Sequence, residues 1–181
     1  DTKWDVILVD GPMGYGGSDN PGRMKSIYWA SKMVVPNGHV FVHDIERHIE
    51  HEFSRRYLEK DLGWKRFDIA GSRGDLAHFS KSRISDVEFP ATTDELRNAG
   101  IILSHQQIAS VMAVLQKKHR FLVFGVGNDS KMWSSGPNTH GSTMFVENNE
   151  NWTNKVLEAQ PSLDIRFVDY KCNMAEAFTK Y

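Results

Sequence analysis

Short apolar runs alternate along the chain with longer segments of helical periodicity. The runs are mostly apolar or β-branched, and they occupy residues 4–9, 39–43, 121–124, 143–146 and 165–168. Runs of this kind are typical of parallel strands that are buried on both faces. Because these strands alternate with helical segments, the pattern predicts a Rossmann-like α/β fold with a mostly parallel sheet.

The longer segments predict helices on both faces of that sheet and an antiparallel pair at its edge. Helical spacing marks residues 21–35, 46–62 and 104–118, and the last segment begins with the capping-box pattern Ser104–Gln107. The antiparallel pair is predicted over residues 64–70 and 76–79, joined by a glycine-containing turn. We therefore expect an open sheet of about seven strands.

Composition narrows the classes of function. The chain has 181 residues, which fits one domain over residues 1–181. Its formal net charge is −1, so the whole molecule has no strong electrostatic attraction to nucleic acid or to a membrane. No apolar run approaches the ~20 residues that span a bilayer. Cys172 is the single cysteine, so an internal disulfide is excluded. Residues 83–100 have little periodicity and are interpreted as a connector.

A glycine turn after the strand at 121–124 predicts a nucleotide site. Gly125 and Gly127 allow the backbone to approach a ligand closely. Glu147 follows Gly127 by 20 residues and ends the next strand, which is the position from which an acid holds both hydroxyls of an adenosine ribose. A solvated surface acid is the alternative interpretation of Glu147, and its pairing with the glycine turn favours the ribose role.

The residues after these glycines favour S-adenosylmethionine over NAD. A dinucleotide turn needs a third glycine where this chain has Ser130. Asn128 and Asp129 come just before it. An acid there repels a pyrophosphate, whereas it does not repel the cationic methionine portion of S-adenosylmethionine.

Two predicted strands end in an acid. Asp10 is followed by Gly11, and Asp44 is preceded by His43. In a parallel sheet both acids lie at the same edge as the glycine turn, where they can orient an acceptor hydroxyl, accept its proton or hold a divalent cation between them. Alternation would turn His43 to the face opposite Asp44. This rule is loose at a strand end, so His43 is a candidate base, with a hydrogen-bonded core histidine as the alternative.

Two arginines follow these acidic strand ends. Arg23 and Arg47 can each pair bidentately with an anionic acceptor. The alternative for both is a solvated helix face.

With these residues identified, the chain resembles the glucuronoxylan 4-O-methyltransferase family, also called the domain-of-unknown-function 579 group. The resemblance rests on the segments FLVFGVGNDSKMW, TMFVENNENW, DTKWDVILVDGPMGY, NPGRM, HVFVHDIER and GDLAHF. It implies a class I methyltransferase fold, S-adenosylmethionine as donor, and glucuronic acid in a cell-wall polysaccharide such as xylan as acceptor. It also implies the Golgi lumen, and the membrane anchor expected there has no counterpart in this chain.

The resemblance also implies roles for individual residues. The donor site corresponds to Gly125, Gly127, Asn128, Asp129, Ser130 and Glu147, with Asp10 and Gly11 beside them. The acidic strand ends correspond to Asp10 and Asp44, beside His43, and Arg23 corresponds to an acceptor contact. We expect Asp10, His43 or Asp44 to remove the proton, and we place Tyr15 and Arg47 in the acceptor site beside Arg23. The family carries a lysine where this chain has Met13, and this departure leaves open which hydroxyl is methylated.

The matching segments occur in an unusual order. Residues 1–82 correspond to the C-terminal half of the family, and residues 101–181 correspond to its N-terminal half. Joining Tyr181 to Asp1 gives AEAFTKYDTKWDVILVD, which resembles an uninterrupted family segment. The order predicts a circular permutant, with a slice across two tandem copies or a rearranged order of the pieces as alternatives.

Two other functions are compatible with the same residues. The glycine turn and Glu147 also suit an NAD-dependent sugar-modifying enzyme, against which Ser130 counts. The substitution at Met13 also suits a non-catalytic carbohydrate-binding domain, against which the retained Asp10, Asp44 and Glu147 count.

Overall fold

A seven-stranded sheet lies at the centre of the molecule. The computed structural model describes residues 2–17, 19–82, 98–116, 119–135, 138 and 140–176, so the predicted connector falls largely on residues 83–97, outside the described residues. The strands are β1 (Trp4–Val9), β2 (Val34–His43), β3 (Lys65–Ile69), β4 (Leu76–Ser80), β5 (Arg120–Phe124), β6 (Ser142–Glu147) and β7 (Ile165–Phe167). Their order is β3-β4-β2-β1-β5-β6-β7, and β4 runs antiparallel to both of its neighbours. The predicted parallel sheet with an antiparallel edge pair is confirmed.

Helices cover both faces of the sheet. They are α1 (Met24–Met33), α2 (His48–Ser54), α3 (His105–Leu115), α4 (Ser130–Ser135) and α5 (Glu150–Ala159). The helix predicted over residues 46–62 divides into α2 and a π-helical segment, Arg55–Lys60. The pattern did not predict α4, because six residues are too few to show an apolar stripe. Each helix in the described part of the chain falls short of the length and apolarity that crossing a membrane requires.

Two apolar cores result, one on each face. The first packs α1 and α2 on side chains such as Val9 and Val42. The second packs α3, α4 and α5 on the alternate side chains, such as Leu8 and Phe41. The capping box predicted for α3 is present, with Ser104 and Gln107 exchanging hydrogen bonds.

The sheet has a seam between β1 and β5. Residues 4–80 build the four strands on one side of the seam, and residues 120–167 build the three on the other side. Across it, parallel pairing runs from Val6↔Phe121 to Val9↔Phe124. Counted from β5, the sheet order is 3-2-1-4-5-7-6, a doubly wound order with an added hairpin strand. The seam is the switch point at which such sheets bind ligands, beyond the carboxyl ends of the strands.

Candidate active site

A cleft opens above the seam at the carboxyl edge of the sheet. Its volume is about 690 Å³, within the ~300–1,000 Å³ typical of ligand sites. One end lies over the turn after β5 and the end of β6. The other end lies over the loops after β1 and β2 and the turn between β3 and β4. We refer to these as the donor end and the acceptor end, after the roles that the sequence predicts for their residues.

The floor of the cleft is a close contact between two glycines. A Cβ on Gly11 would lie 2.7 Å from the Cα of Gly125, and a Cβ on Gly125 would lie 3.0 Å from the Gly11 nitrogen. Gly125 also has a φ of +103°, a conformation that side chains other than glycine rarely adopt. The loops after β1 and β5 therefore touch backbone to backbone, which requires glycine at both positions.

Backbone donors hold the Glu147 carboxylate at the donor end. Its Oε2 accepts from the Val126 N–H at 3.1 Å, and its Oε1 accepts from the N–H groups of Asn148 and Asn149 at 2.7 and 2.8 Å. Because a carboxylate has about four acceptor positions, one remains for a ligand. The carboxylate thus has one fixed orientation, at the end of β6 as the sequence predicts.

Asp129 brings a second carboxyl group to the donor end. Its Oδ2 accepts from the Trp133 indole N–H at 2.8 Å. Burial, with a contribution from the charge of Asp10, raises the pKa of Asp129 to about 6. Asp129 is therefore mainly ionised at pH 7 and becomes neutral in mild acid.

An Asp–His pair lies at the acceptor end. Asp10 Oδ1 is 2.8 Å from His43 Nδ1, and the Asp10 side chain keeps 27% of its surface exposed. Burial alone would raise the pKa of Asp10, but the hydrogen bond from His43 and the charge of Arg23 outweigh burial and lower it. Burial would likewise lower the pKa of His43, but the hydrogen bond and charge of Asp10 outweigh burial and raise it.

Arg23 joins the two predicted acids. Its Nη2 lies 3.2 Å from Asp10 Oδ1, and its Nη1 lies 2.8 Å from Asp44 Oδ2 and donates to the His43 carbonyl. Arg47 Nη1 lies 2.9 Å from the same Asp44 oxygen. Because Arg23 is only 4% exposed, its role in this structure is to hold the acids in place.

His43 and Asp44 lie together in the structure, although strand alternation predicts that they face opposite sides of the sheet. The backbone conformation of Asp44 explains the difference. His43 shares a face of the sheet with Asp10, as alternation requires. Asp44 has a φ of +58°, a left-handed conformation that is uncommon outside glycine and concentrated at functional sites. The turn brings Asp44 Oδ2 to 3.7 Å from His43 Nδ1.

The predicted divalent cation does not fit these residues. Ligand atoms of Asp10, His43 and Asp44 lie within 4.8 Å of one another. However, the guanidinium of Arg23 already contacts both carboxylates. A divalent ion between the acids would therefore meet a fixed positive charge within a few ångströms.

The cleft brings together nearly all the residues predicted for the site. Its lining includes Asp10, Gly11, Tyr15, Arg23, His43, Asp44, Arg47, Gly125, Gly127, Asn128, Asp129 and Glu147. Ser130 is the exception, because it is 1% exposed and its hydroxyl accepts from the Gly127 N–H at 2.9 Å. Ser130 therefore supports the glycine turn from behind.

Several lining residues were not predicted. They include Ile101, Ile102, Leu103, Arg73, Asn148, Asn149 and Trp152. The indole N–H of Trp152 donates to the Val126 carbonyl at 2.7 Å, which fixes its ring as an apolar wall of the donor end. One signal was available for Arg73, because a hairpin that pairs with the end of β2 places its turn at the carboxyl edge.

Comparison with known proteins supports the resemblance seen in the sequence. In Arabidopsis thaliana, glucuronoxylan 4-O-methyltransferase 3 is 43% identical over 84 residues, which is 44% of this chain and 26% of that protein. Arabinogalactan O-methyltransferase 2 is 40% identical over 76 residues, 41% of this chain and 26% of that protein. The chain spans about a quarter of the length of these relatives.

Two further matches concern structure and family. The crystal structure of the M1.HpyAVI–SAM complex aligns over 87% of this chain and 88% of its own, with a TM-score of 0.49 and 12% identity. The IRX15/IRX15L/GXM family model matches residues 1–79 and 106–179. With most of its residues matched on both sides of the seam, the chain belongs to the IRX15/IRX15L/GXM family.

Proposed function

We propose that this chain binds S-adenosylmethionine at the donor end and transfers its methyl group to a saccharide hydroxyl at the acceptor end. One observation carries the proposal: an acidic pocket end built on glycines opens directly onto the Asp10–His43 pair. The names of the relatives, glucuronoxylan and arabinogalactan O-methyltransferases, support a polysaccharide acceptor. Glucuronate is the acceptor that we expect, and the Golgi lumen stays a prediction.

The donor end fits the chemistry of S-adenosylmethionine. The free acceptor position on Glu147 suits a ribose hydroxyl, and the carboxylate of Asp129 suits an ammonium or a sulfonium. Ile101, Leu103 and the ring of Trp152 offer apolar surface for an adenine. When bound, the donor supplies a methyl group activated by its sulfonium.

The same charges count against NAD. Asp129 and Glu147 line the donor end, and a pyrophosphate there would face two carboxylates. The three arginines that line the cleft in the described part of the chain all lie at the acceptor end. Electrostatics therefore favours a cationic ligand at the donor end.

Asp10 is the residue that we assign to proton removal. Its Oδ1 is occupied by His43 and Arg23, so the exposed part of its carboxylate is free to accept a hydrogen bond from the acceptor hydroxyl. Asp10 orients that oxygen and takes up its proton, while His43 keeps Asp10 in place and stabilises its charge. Alignment and exclusion of water provide the rest of the rate enhancement.

Tyr15 is the acceptor platform in this proposal. Its ring is 62% exposed in the cleft, and the Arg47 guanidinium lies 5.3 Å from its centroid. A sugar ring can pack on the free face of such an aromatic ring. Met13, 47% exposed, lies in the same loop, where the family lysine would add a positive charge.

Calorimetric titration with S-adenosylhomocysteine tests the donor site, with NAD as control. We expect micromolar binding, about −8 kcal/mol, for the first ligand alone. Gly127→Val should block it, because a Cβ there meets only the Asp129 Oδ1 at 3.0 Å and the larger side chain extends into the cleft. Gly127→Ala serves as the matched control with a smaller loss.

Turnover is then measured with glucuronate-bearing oligosaccharides. Methyl transfer that depends on Asp10 would support the proposal. Preference for NAD, or equal binding by the Gly127→Val variant, would overturn the donor site. Donor binding without transfer to any saccharide would instead support the carbohydrate-binding alternative.

A further inference from the structure

We propose that Arg73 selects an anionic acceptor by pairing with the carboxylate of a uronic acid residue. This inference rests on the proposed function and deepens it, since it names the group on the acceptor and the residue that recognises it. The sequence pointed to Arg23 and Arg47 for that task, and the structure leads to a different arginine.

Both predicted arginines already pair with acids of the site. Arg23 is buried and bridges Asp10 and Asp44. Arg47 pairs with Asp44 and lies over the ring of Tyr15. Both guanidinium groups therefore hold the carboxylates of Asp10 and Asp44 in place.

Arg73 carries a positive charge, and the two acids at the base of its turn, Asp75 and Glu46, accept hydrogen bonds from backbone N–H groups instead of pairing with it. It lines the cleft and is exposed, and no ion pair or hydrogen bond of its side chain exists with the residues that the structure describes. The acceptor end therefore presents an unpaired guanidinium to the cleft, whereas the donor end presents the carboxylates of Asp129 and Glu147.

The turn that carries Arg73 is fixed against the proposed catalytic residues. A Cβ on Gly74 would lie 2.3 Å from Asp44 Oδ1 and 3.1 Å from His43 Nε2. The α carbon of Arg73 is one residue away, about 3.8 Å, so its side chain extends from the rim of the Asp10–His43 pair.

Hydrogen bonds from three directions hold this turn. Gln107 Nε2 donates to the Gly74 carbonyl at 2.8 Å, and the N–H of Gly71 donates to Asp75 Oδ1 at 3.0 Å. The Asp75 carbonyl accepts from the N–H of Ile45 at 3.2 Å. A flexible guanidinium on a fixed backbone suits bidentate recognition of a carboxylate close to the reacting hydroxyl.

The test compares Arg73→Gln and Arg73→Lys with the wild-type chain on two acceptors. One is a glucuronate-bearing xylo-oligosaccharide, and the other is the same oligosaccharide with its carboxyl group reduced to an alcohol. For Arg73→Gln we expect the KM of the acidic acceptor to rise about tenfold or more, as for loss of a charged hydrogen bond. We expect kcat to stay close to wild type, kcat/KM on the neutral acceptor to be unchanged, and Arg73→Lys to be intermediate.

Arg166→Gln is the matched control, because Arg166 is an exposed arginine on β7 paired with Asp164. Equal losses on both acceptors, or no loss on the acidic one, would overturn the role of Arg73. If the wild-type chain binds S-adenosylhomocysteine but transfers no methyl group, the proposed function fails separately. Binding of the acidic oligosaccharide by wild type and by Arg73→Gln, followed by NMR, then decides the inference: a loss in the variant supports it, and equal or absent binding refutes it.

Discussion

The two ends of the cleft are built from different parts of the polypeptide. At the donor end, backbone groups determine the shape, because Gly125 lies against Gly11 and three N–H groups hold Glu147. At the acceptor end, charged side chains determine it, because Arg23 and Arg47 converge on Asp44.

Because of this difference, the two ends of the cleft tolerate different substitutions. A backbone-built pocket keeps its shape while most side chains around it change, as long as its glycines remain. A pocket built on ion pairs changes with each charge that is replaced. Substitutions at the acceptor end should therefore alter acceptor choice and turnover while leaving donor binding intact. Asp10→Asn tests that separation directly, and three further variants test the charged groups of the two halves.

The largest effect is expected for Asp10→Asn. Asparagine keeps the bonds to His43 and Arg23 but cannot accept a proton, so turnover should fall about 10²–10⁴-fold, the usual contribution of a general base. The dissociation constant of S-adenosylhomocysteine, measured by calorimetry, should not change. Asp68→Asn, at an acid 59% exposed on β3, is the control. If donor binding fell together with turnover, Asp10 would belong to both ends and the separation would fail.

Arg23→Met should lower the free energy of unfolding by up to about 3–5 kcal/mol, because it removes the buried cation that bridges Asp10 and Asp44 and leaves each acid with one cationic partner. Urea denaturation monitored by fluorescence measures this loss. Arg166→Met removes an exposed arginine from an ion pair and should change little. A stability of Arg23→Met equal to that of wild type would mean that the acceptor end does not depend on this ion pair.

Asp129→Asn should weaken donor binding and stabilise the fold. The pKa of Asp129 rises from 3.8 to about 6 on folding, so its favourable contribution is present below pH 3.8 and is lost as pH rises through 6. At pH 8 the variant should be more stable by about 2–3 kcal/mol, and at pH 4 by almost nothing.

Donor affinity provides a second measurement on the same variant. In the wild type it should rise between pH 5 and pH 8 as Asp129 ionises, and in Asp129→Asn this part of the pH dependence should be absent. Asp164→Asn, at an exposed acid just before β7 and so at the edge of the sheet away from the cleft, should keep the wild-type profile. An identical profile in Asp129→Asn would remove Asp129 from the donor site.

The smallest effect concerns the core of the acceptor half. His78 contacts His39 at 2.9 Å, and burial, with the charge of His39, lowers the pKa of His78 to about 3. The contribution of neutral His78 to the free energy of unfolding is present above pH 6.5 and is lost as pH falls toward 3. The loss amounts to about 2 kcal/mol at pH 5. When the pH is lowered from 7.5 to 5, the free energy of unfolding should fall less in His78→Phe than in the wild type. In His51→Phe it should fall as much as in the wild type.

The sequence predicted the donor end better than the acceptor end. Gly125, Gly127 and Glu147 follow local rules, since strand ends, turns and spacing all appear in a single sequence. Ion pairs depend on how distant segments pack, so no pattern showed that Arg23 would bridge Asp10 and Asp44. Alternation also gave the wrong relation between His43 and Asp44, because it assumes an extended backbone at a residue with a left-handed φ.

The circular permutation stays a prediction, and the strand order of the sheet supports it. Counting from β5 gives a doubly wound order, and the family model matches residues on both sides of the seam. The alignments with glucuronoxylan 4-O-methyltransferase 3 and arabinogalactan O-methyltransferase 2 cover less than half of this chain. A permuted order explains this, because an alignment that follows chain order can include only one half.

The contact between Gly11 and Gly125 has a consequence for folding. The two glycines belong to the two sides of the seam, so a ligand that binds across them fastens one set of strands to the other. Separation of the halves then requires release of that ligand, and unfolding becomes linked to its concentration. Through this seam, the supply of donor would govern how long the folded chain survives heat or protease.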